Sequence, residues 1–149
     1  MRGVSRALVL VAAVLSGSAA LTRQSAEAGG GGHYQPTIES HERLHAAQPA
    51  SSLYAAWLAH AHGKAGNHAR ARQILDGLAA ASKTRYISAA NIAIGYIGLG
   101  DFDTALTLME KGFTERSQTL TFIKIDPVYD PLRADPRFVD LLRRVRLDR

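Results

Sequence analysis

A helical hairpin that returns after 34 residues constrains this chain more than anything else in it. Over residues 86–116 the sequence reads YISAANIAIGYIGLGDFDTALTLMEKGFTER. Ala89, Ile92, Ala93 and Tyr96 share one face at helical spacing, and Ala105, Leu108, Met109 and Gly112 do the same after a break. The break is Gly98-Leu99-Gly100-Asp101. Gly100 can adopt the left-handed conformation that ends a helix, and Asp101 can accept the free amides that start the next. Small residues at Ala93, Ala105 and Gly112 let two helix backbones approach closely. The stretch predicts an antiparallel helical hairpin.

Shifted back by 34 residues, Gly66 falls under Gly100, Ala71 under Ala105, Leu58-Ala59 under Ile92-Ala93, and Leu75 under Met109. A further shift reaches Gly32, Tyr34, Thr37 and Leu44, with Pro49 closing the segment, which has a second helix and no first. A 34-residue period carrying a large-small pair, a Gly at the turn and a small residue early in the second helix resembles the tetratricopeptide repeat. The resemblance covers residues 34–147. It implies an all-α fold of antiparallel helical hairpins stacked as a short α-solenoid. The half repeat spans 34–49, two full repeats span 52–82 and 86–116, and a capping tail spans 117–147.

Upstream, Arg2 and Arg6 precede the apolar run Ala7–Leu15, and Ser16-Gly17-Ser18-Ala19-Ala20 follows. This order predicts a secretory signal peptide over 1–20, cleaved after Ala20. The apolar stretch extended to Leu21 reaches fifteen residues, short of the roughly 20 that span a bilayer, so no stable membrane span is expected after cleavage. The alternatives are an uncleaved anchor or a misplaced start, and the latter would leave the protein cytoplasmic rather than secreted or periplasmic. Residues 21–33, with four consecutive glycines, read as a flexible linker. Without Arg2 and Arg6, 16 basic side chains face 13 acidic ones, too small an excess to argue for nucleic acid. The chain has no cysteine, which removes disulfides and thiolate sites.

The half repeat predicts a helix from Gln35 to Ala47 that contains His41-Glu42-Arg43-Leu44-His45, the spacing of a zinc-protease helix. That chemistry needs both imidazoles on one metal and Glu42 activating a bound water. Against it, Glu39 and Arg43 put charges where such helices carry none, and no third-ligand motif follows, although His60, His62 and His68 are available. The 34-residue register gives His41 the place of Leu75 and Met109, a packing role. In the next repeat Ser51 or Ser52 can cap the first helix, and Trp57, the only tryptophan, reads as packing ahead of an interface anchor.

In the tail, Asp126-Pro127, Asp130-Pro131 and Asp135-Pro136 each suit a chain that turns and opens a helix at the proline. The last helix carries the stripe Phe138, Leu141, Leu142 and Val145. This tail is similar to the segment that closes repeat arrays appended to bacterial kinases, nucleotide cyclases and winged-helix regulators. No Gly-rich phosphate loop or kinase signature set is present in the sequence.

The resemblance implies a non-enzymatic module that binds a peptide or protein partner, with no catalytic residue, cofactor, metal or nucleic acid. Two alternatives stay open: a metal-binding or zinc-dependent protein using His41 and His45, or a scaffold fragment of a larger signalling protein. The helix from Tyr86 to Ile97 has a second apolar stripe opposite its core face: Ile87, Ala90, Ile94 and Ile97. One repeat earlier the same places hold Leu53, Ala56, His60 and Gly63. In the resembled family these faces line a concave groove, which here would be built from Leu53, His60, Ile87, Asn91, Ile94 and Ile97. Ahead of the groove stands the plainer reading, that the stripe packs under the chain's own tail. Only Asn91 matches the family's carboxylate-clamp pattern, since Ala56 and His60 replace its Lys and Asn, so carboxylate recognition is not expected.

Overall fold

A computed structural model describes residues 34–146. The signal-peptide and linker readings, and Leu147, lie outside the described residues. The described chain is all-α. Its helices are α1 (Gln35–Ala47), α2 (Ser52–Lys64), α3 (His68–Ala81), α4 (Ala89–Leu99), α5 (Phe102–Thr114) and α6 (Pro136–Arg144). Two 3-10 helices, Gln118–Phe122 and Pro127–Leu132, fill the span between α5 and α6. Each hairpin packs on itself, α2 against α3 and α4 against α5, and α2 packs along α4 to stack the two pairs. α1 lies on α2 at one end. At the other, α4 and α5 meet the tail.

The breaks behave as their residues dictate. Gly66 and Gly100 both take positive φ, 83° and 75°. The Asp101 carboxylate accepts the Thr104 N–H (3.2 Å) and starts α5. Ser51, not Ser52, caps α2, accepting from Tyr54 N at 3.4 Å. The small residues mark close crossings. A Cβ added at Gly98 would stand 2.5 Å from His60 Cα, and one at Gly112 would stand 2.7 Å from Ala90 Cβ. The N-caps of α3, α5 and α6 are Asn67, Asp101 and Asp135, so the 34-residue period runs on into the tail.

Three details differ from the sequence reading. α4 begins at Ala89 rather than Tyr86, because Ser88 is extended (ψ 124°) and the Glu115 carboxylate accepts the Ala89 N–H (3.2 Å) and the Tyr86 hydroxyl (3.4 Å). Leu106 is buried alongside Ala105, Met109 and Gly112, while Leu108 is only half-buried. Asp126 and Asp135 do cap helices, accepting from Val128 N (3.0 Å) and Arg137 N (2.8 Å). Asp130-Pro131 instead lies inside the second 3-10 helix, where the Asp130 carboxylate takes the Arg133 Nε–H at 2.6 Å. It continues a turn rather than opening one.

Candidate interaction surface

The groove residues do gather on the first-helix side, but as interior. Ile87, Ile94 and Ile97 are buried, the last two almost completely, and His60 is buried with them. The cover is the tail: Leu120, Val128, Tyr129 and Leu132 from its two 3-10 helices and Ile123 just after the first share one core with the three isoleucines, together with Phe138 and Leu141 of α6. The stripe on α4 that a groove would have exposed is thus closed by the chain's own residues. A helix apolar nearly all round needs cover on every side, and α4 receives it from α2, α3, α5 and the tail.

Leu53 and Asn91 are only half-buried and form the accessible edge of this face. Asn91 is already engaged. Its amide N–H donates to Ser52 Oγ (3.1 Å), and its carbonyl accepts from Thr119 Oγ1 (2.5 Å). One side chain therefore ties the start of α2 to the first tail turn. A second tie joins Ser88 Oγ to Ser117 Oγ at 2.6 Å. Beyond Thr119 the chain exposes two large apolar residues of one turn, Phe122 and Ile125, with Ile125 72% accessible. Behind them, a cleft of about 270 Å³ opens between α5 and the tail, lined by Phe113, Arg116, Ser117, Leu120, Thr121 and Val145.

The other concentration of functional-type residues lies where α1 meets α2. His41 is 4% accessible, although among the described residues its helix packs mainly on α2. Its Nδ1–H donates to Thr37 O at 2.7 Å, and its Nε2 is buried with no hydrogen-bond partner. The imidazole lies 6.0 Å from the Trp57 ring, and the His60 ring meets Trp57 edge-on at 5.7 Å. His60 Nδ1–H donates to Ile94 O at 3.0 Å, a bond spanning one repeat. His62 is buried with neither ring nitrogen paired, and His45 Nδ1 is unpaired too. Burial holds His60 down at about 4, and the same cause lowers His41 and His62. Trp57, 5% accessible, is packing rather than surface.

His41 and His45 were the zinc pair of the alternative reading. Among the described residues, no three His, Cys, Asp or Glu are grouped so as to hold a metal ion. Among them too, no helix is long and apolar enough to cross a membrane. The chain matches no family model, no curated protein and no solved structure.

Sequence reasoning missed the bonds of Asn91 and the ring contacts of Trp57 with His41 and His60. One signal for the second was present. His60 and Ile94 stand 34 residues apart, so a ring on one first helix faces the backbone of the next.

Proposed function

We propose that this chain is a non-enzymatic helical-repeat module, exported by its N-terminal segment, that binds a peptide or protein segment. The observation that carries the reading is the run of helix starts at Asn67, Asp101 and Asp135, with each hairpin stacked on its neighbour. Arrays built this way have an extended surface and contacts mostly between neighbours, and such surfaces serve as binding faces. Because the tail fills the middle of the groove, recognition falls to its rim: Leu53 and Asn91, and the exposed Phe122 and Ile125.

The test is affinity capture on the immobilised chain from residue 21 onward, followed by calorimetric titration of the captured segment. The paired substitution Phe122→Asp and Ile125→Asp should leave the fold intact and abolish the titration heat. A wild-type chain that retains nothing above a blank surface, or a variant that binds equally well, would overturn the reading. Export is checked separately by N-terminal sequencing after expression in a secreting bacterium. Protein beginning at Leu21 is expected, and intact Met1 on cytosolic protein would refute export.

A further inference from the structure

We infer that the seam between α1 and α2 is a proton-operated latch: acidification releases α1 while the stacked hairpins stay folded. α1 commits only two buried side chains to the rest of the protein, Ile38 and His41. Ile38 packs with Leu58 and Ala61 in a small cluster separate from the main core. His41 occupies the register position that Leu75 and Met109 fill in the two later second helices, where both are buried. An apolar knob has been replaced by a titratable one at the seam that, among the described residues, has least else to hold it.

Neutral imidazole suits this place. Its Nδ1–H has Thr37 O, and its Nε2 is buried without a hydrogen-bond partner in a ring 6.0 Å from Trp57. A proton on Nε2 would create a buried donor and a charge with nothing to receive them, which only exposure to water relieves. The surrounding charges offer little relief. On α2, His60 adjoins the same indole, and Lys64 bears on His60 with the same positive sign. His62, also without partners, feels Arg70 of α3 against Glu42 of α1. α4 contributes the Ile94 carbonyl, which His60 already uses. On α1 itself, His45 adds another unpaired ring nitrogen. Burial lowers His41, and lowers His60 and His62 beside it, so the closed seam favours neutral imidazoles.

Trp57 is the chain's only tryptophan and lies on the seam, which makes it a direct reporter. The experiment titrates the full chain from pH 7 to about 5, below the ordinary imidazole range. It follows acrylamide quenching of Trp57, amide exchange over residues 35–47 and the far-ultraviolet helix signal. Quenching and exchange over α1 should rise at least several-fold while exchange in α4 and α5 stays protected. His41→Leu, which restores the apolar residue of the register, should keep α1 protected across the range. His62→Gln separates the neighbouring histidine and should leave most of the transition. A wild-type α1 that stays protected to pH 5 would overturn the inference. So would a His41→Leu chain with an unchanged transition, or simultaneous loss of protection in α1 and α4.

Discussion

The two ends of this short stack solve the same problem with unequal means. At the C-terminal end, α4 and α5 are covered by Leu120, Ile123, Val128, Tyr129, Leu132, Phe138 and Leu141, all within the main core. Tyr129 and Phe138 stack there at 6.2 Å between centroids. Three ion-pair and cation–π contacts fasten the outside: Arg137 to Asp103 (2.8 Å), Arg144 to Glu110, and Arg144 over Phe113 (4.8 Å). At the N-terminal end a single helix contributes Ile38 and a histidine. A repeat stack needs both faces closed, but it does not need them closed equally well. The weaker closure is where pH can act and where local opening begins.

The largest effect is expected from striking the shared centre rather than either end. Ile94 is 2% accessible between α2, α5 and the tail, so Ile94→Glu would bury a charge with no partner. We expect loss of the cooperative thermal transition and of most helix signal. A folded Ile94→Glu chain would mean that the tail can lift away and expose an open groove. Next come paired truncations, one at each end. Phe138 is fully buried, and Phe138→Ala should cost about 3–5 kcal/mol in urea unfolding. Ile38→Ala sits at the edge of the three-residue cluster and should cost about 2 kcal/mol, near the low end for such changes. Its effect should be confined to amide exchange in α1. Equal, global effects would erase the contrast between the ends.

How much of this was legible beforehand depends on which residue carried the information. The period, the two glycine breaks and the hairpin pairing are local and periodic, and they are visible in Gly66, Gly100, Ala71 and Ala105. That the tail covers Ile94 and Ile97 was legible from a helix apolar nearly all round; which tail residues do so was not. Most of them sit on or beside two 3-10 helices, whose short turns show no extended 3.6-residue periodicity. The last helix was legible from its own apolar stripe and not from the repeat register. α6 starts in register with α5, yet it buries Phe138 and Leu141 where α5's pattern would place Val139 and Arg143. One residue of offset turns a helix by about 100°, here toward Tyr129. Asn91 had the right type for a groove edge, but only its neighbours could show that Ser52 and Thr119 already engage it.

Acid should sharpen the difference between the ends. His60 is neutral in the fold, and its folded value of about 4 lies below the ordinary imidazole value near 6.5. Between those values the unfolded chain binds more protons, so stability is complete above about pH 6.5 and falls as pH drops toward 4. For His60 alone the loss approaches roughly 3 kcal/mol, with His41 and His62 adding in the same direction. Chemical unfolding at pH 7 and pH 4.5 measures it. The Phe138→Ala chain should show the same pH-dependent decrement as wild type, since no histidine lies in the tail. A decrement that shrinks in His60→Gln, shrinks further when His41→Leu is added, and persists in Phe138→Ala would locate the sensitivity at the histidines of α1 and α2. Stability that is flat with pH would remove it.

The smallest effects come from the three helix starts that share one register and differ in chemistry. Asp101 accepts both the Thr104 N–H (3.2 Å) and the Thr104 hydroxyl (2.9 Å). Asp135 accepts from Arg137 N (2.8 Å) and also holds the Arg137 guanidinium, which in turn reaches Asp103. Asn67, at the same place in the earlier hairpin, makes no side-chain cap bond. Its backbone is held instead, by donation to His62 O at 2.8 Å. Asp101→Ala should therefore cost about 1 kcal/mol, and Asp135→Ala should destabilise in the same direction, its exposed ion pairs adding little to the cap bond. Asn67→Ala should fall within about 0.5 kcal/mol of wild type. If Asn67→Ala costs as much as Asp101→Ala, the N-terminal hairpin depends on its turn as much as the C-terminal one does. The asymmetry would then reside only in the caps of the stack, not in the hairpins between them.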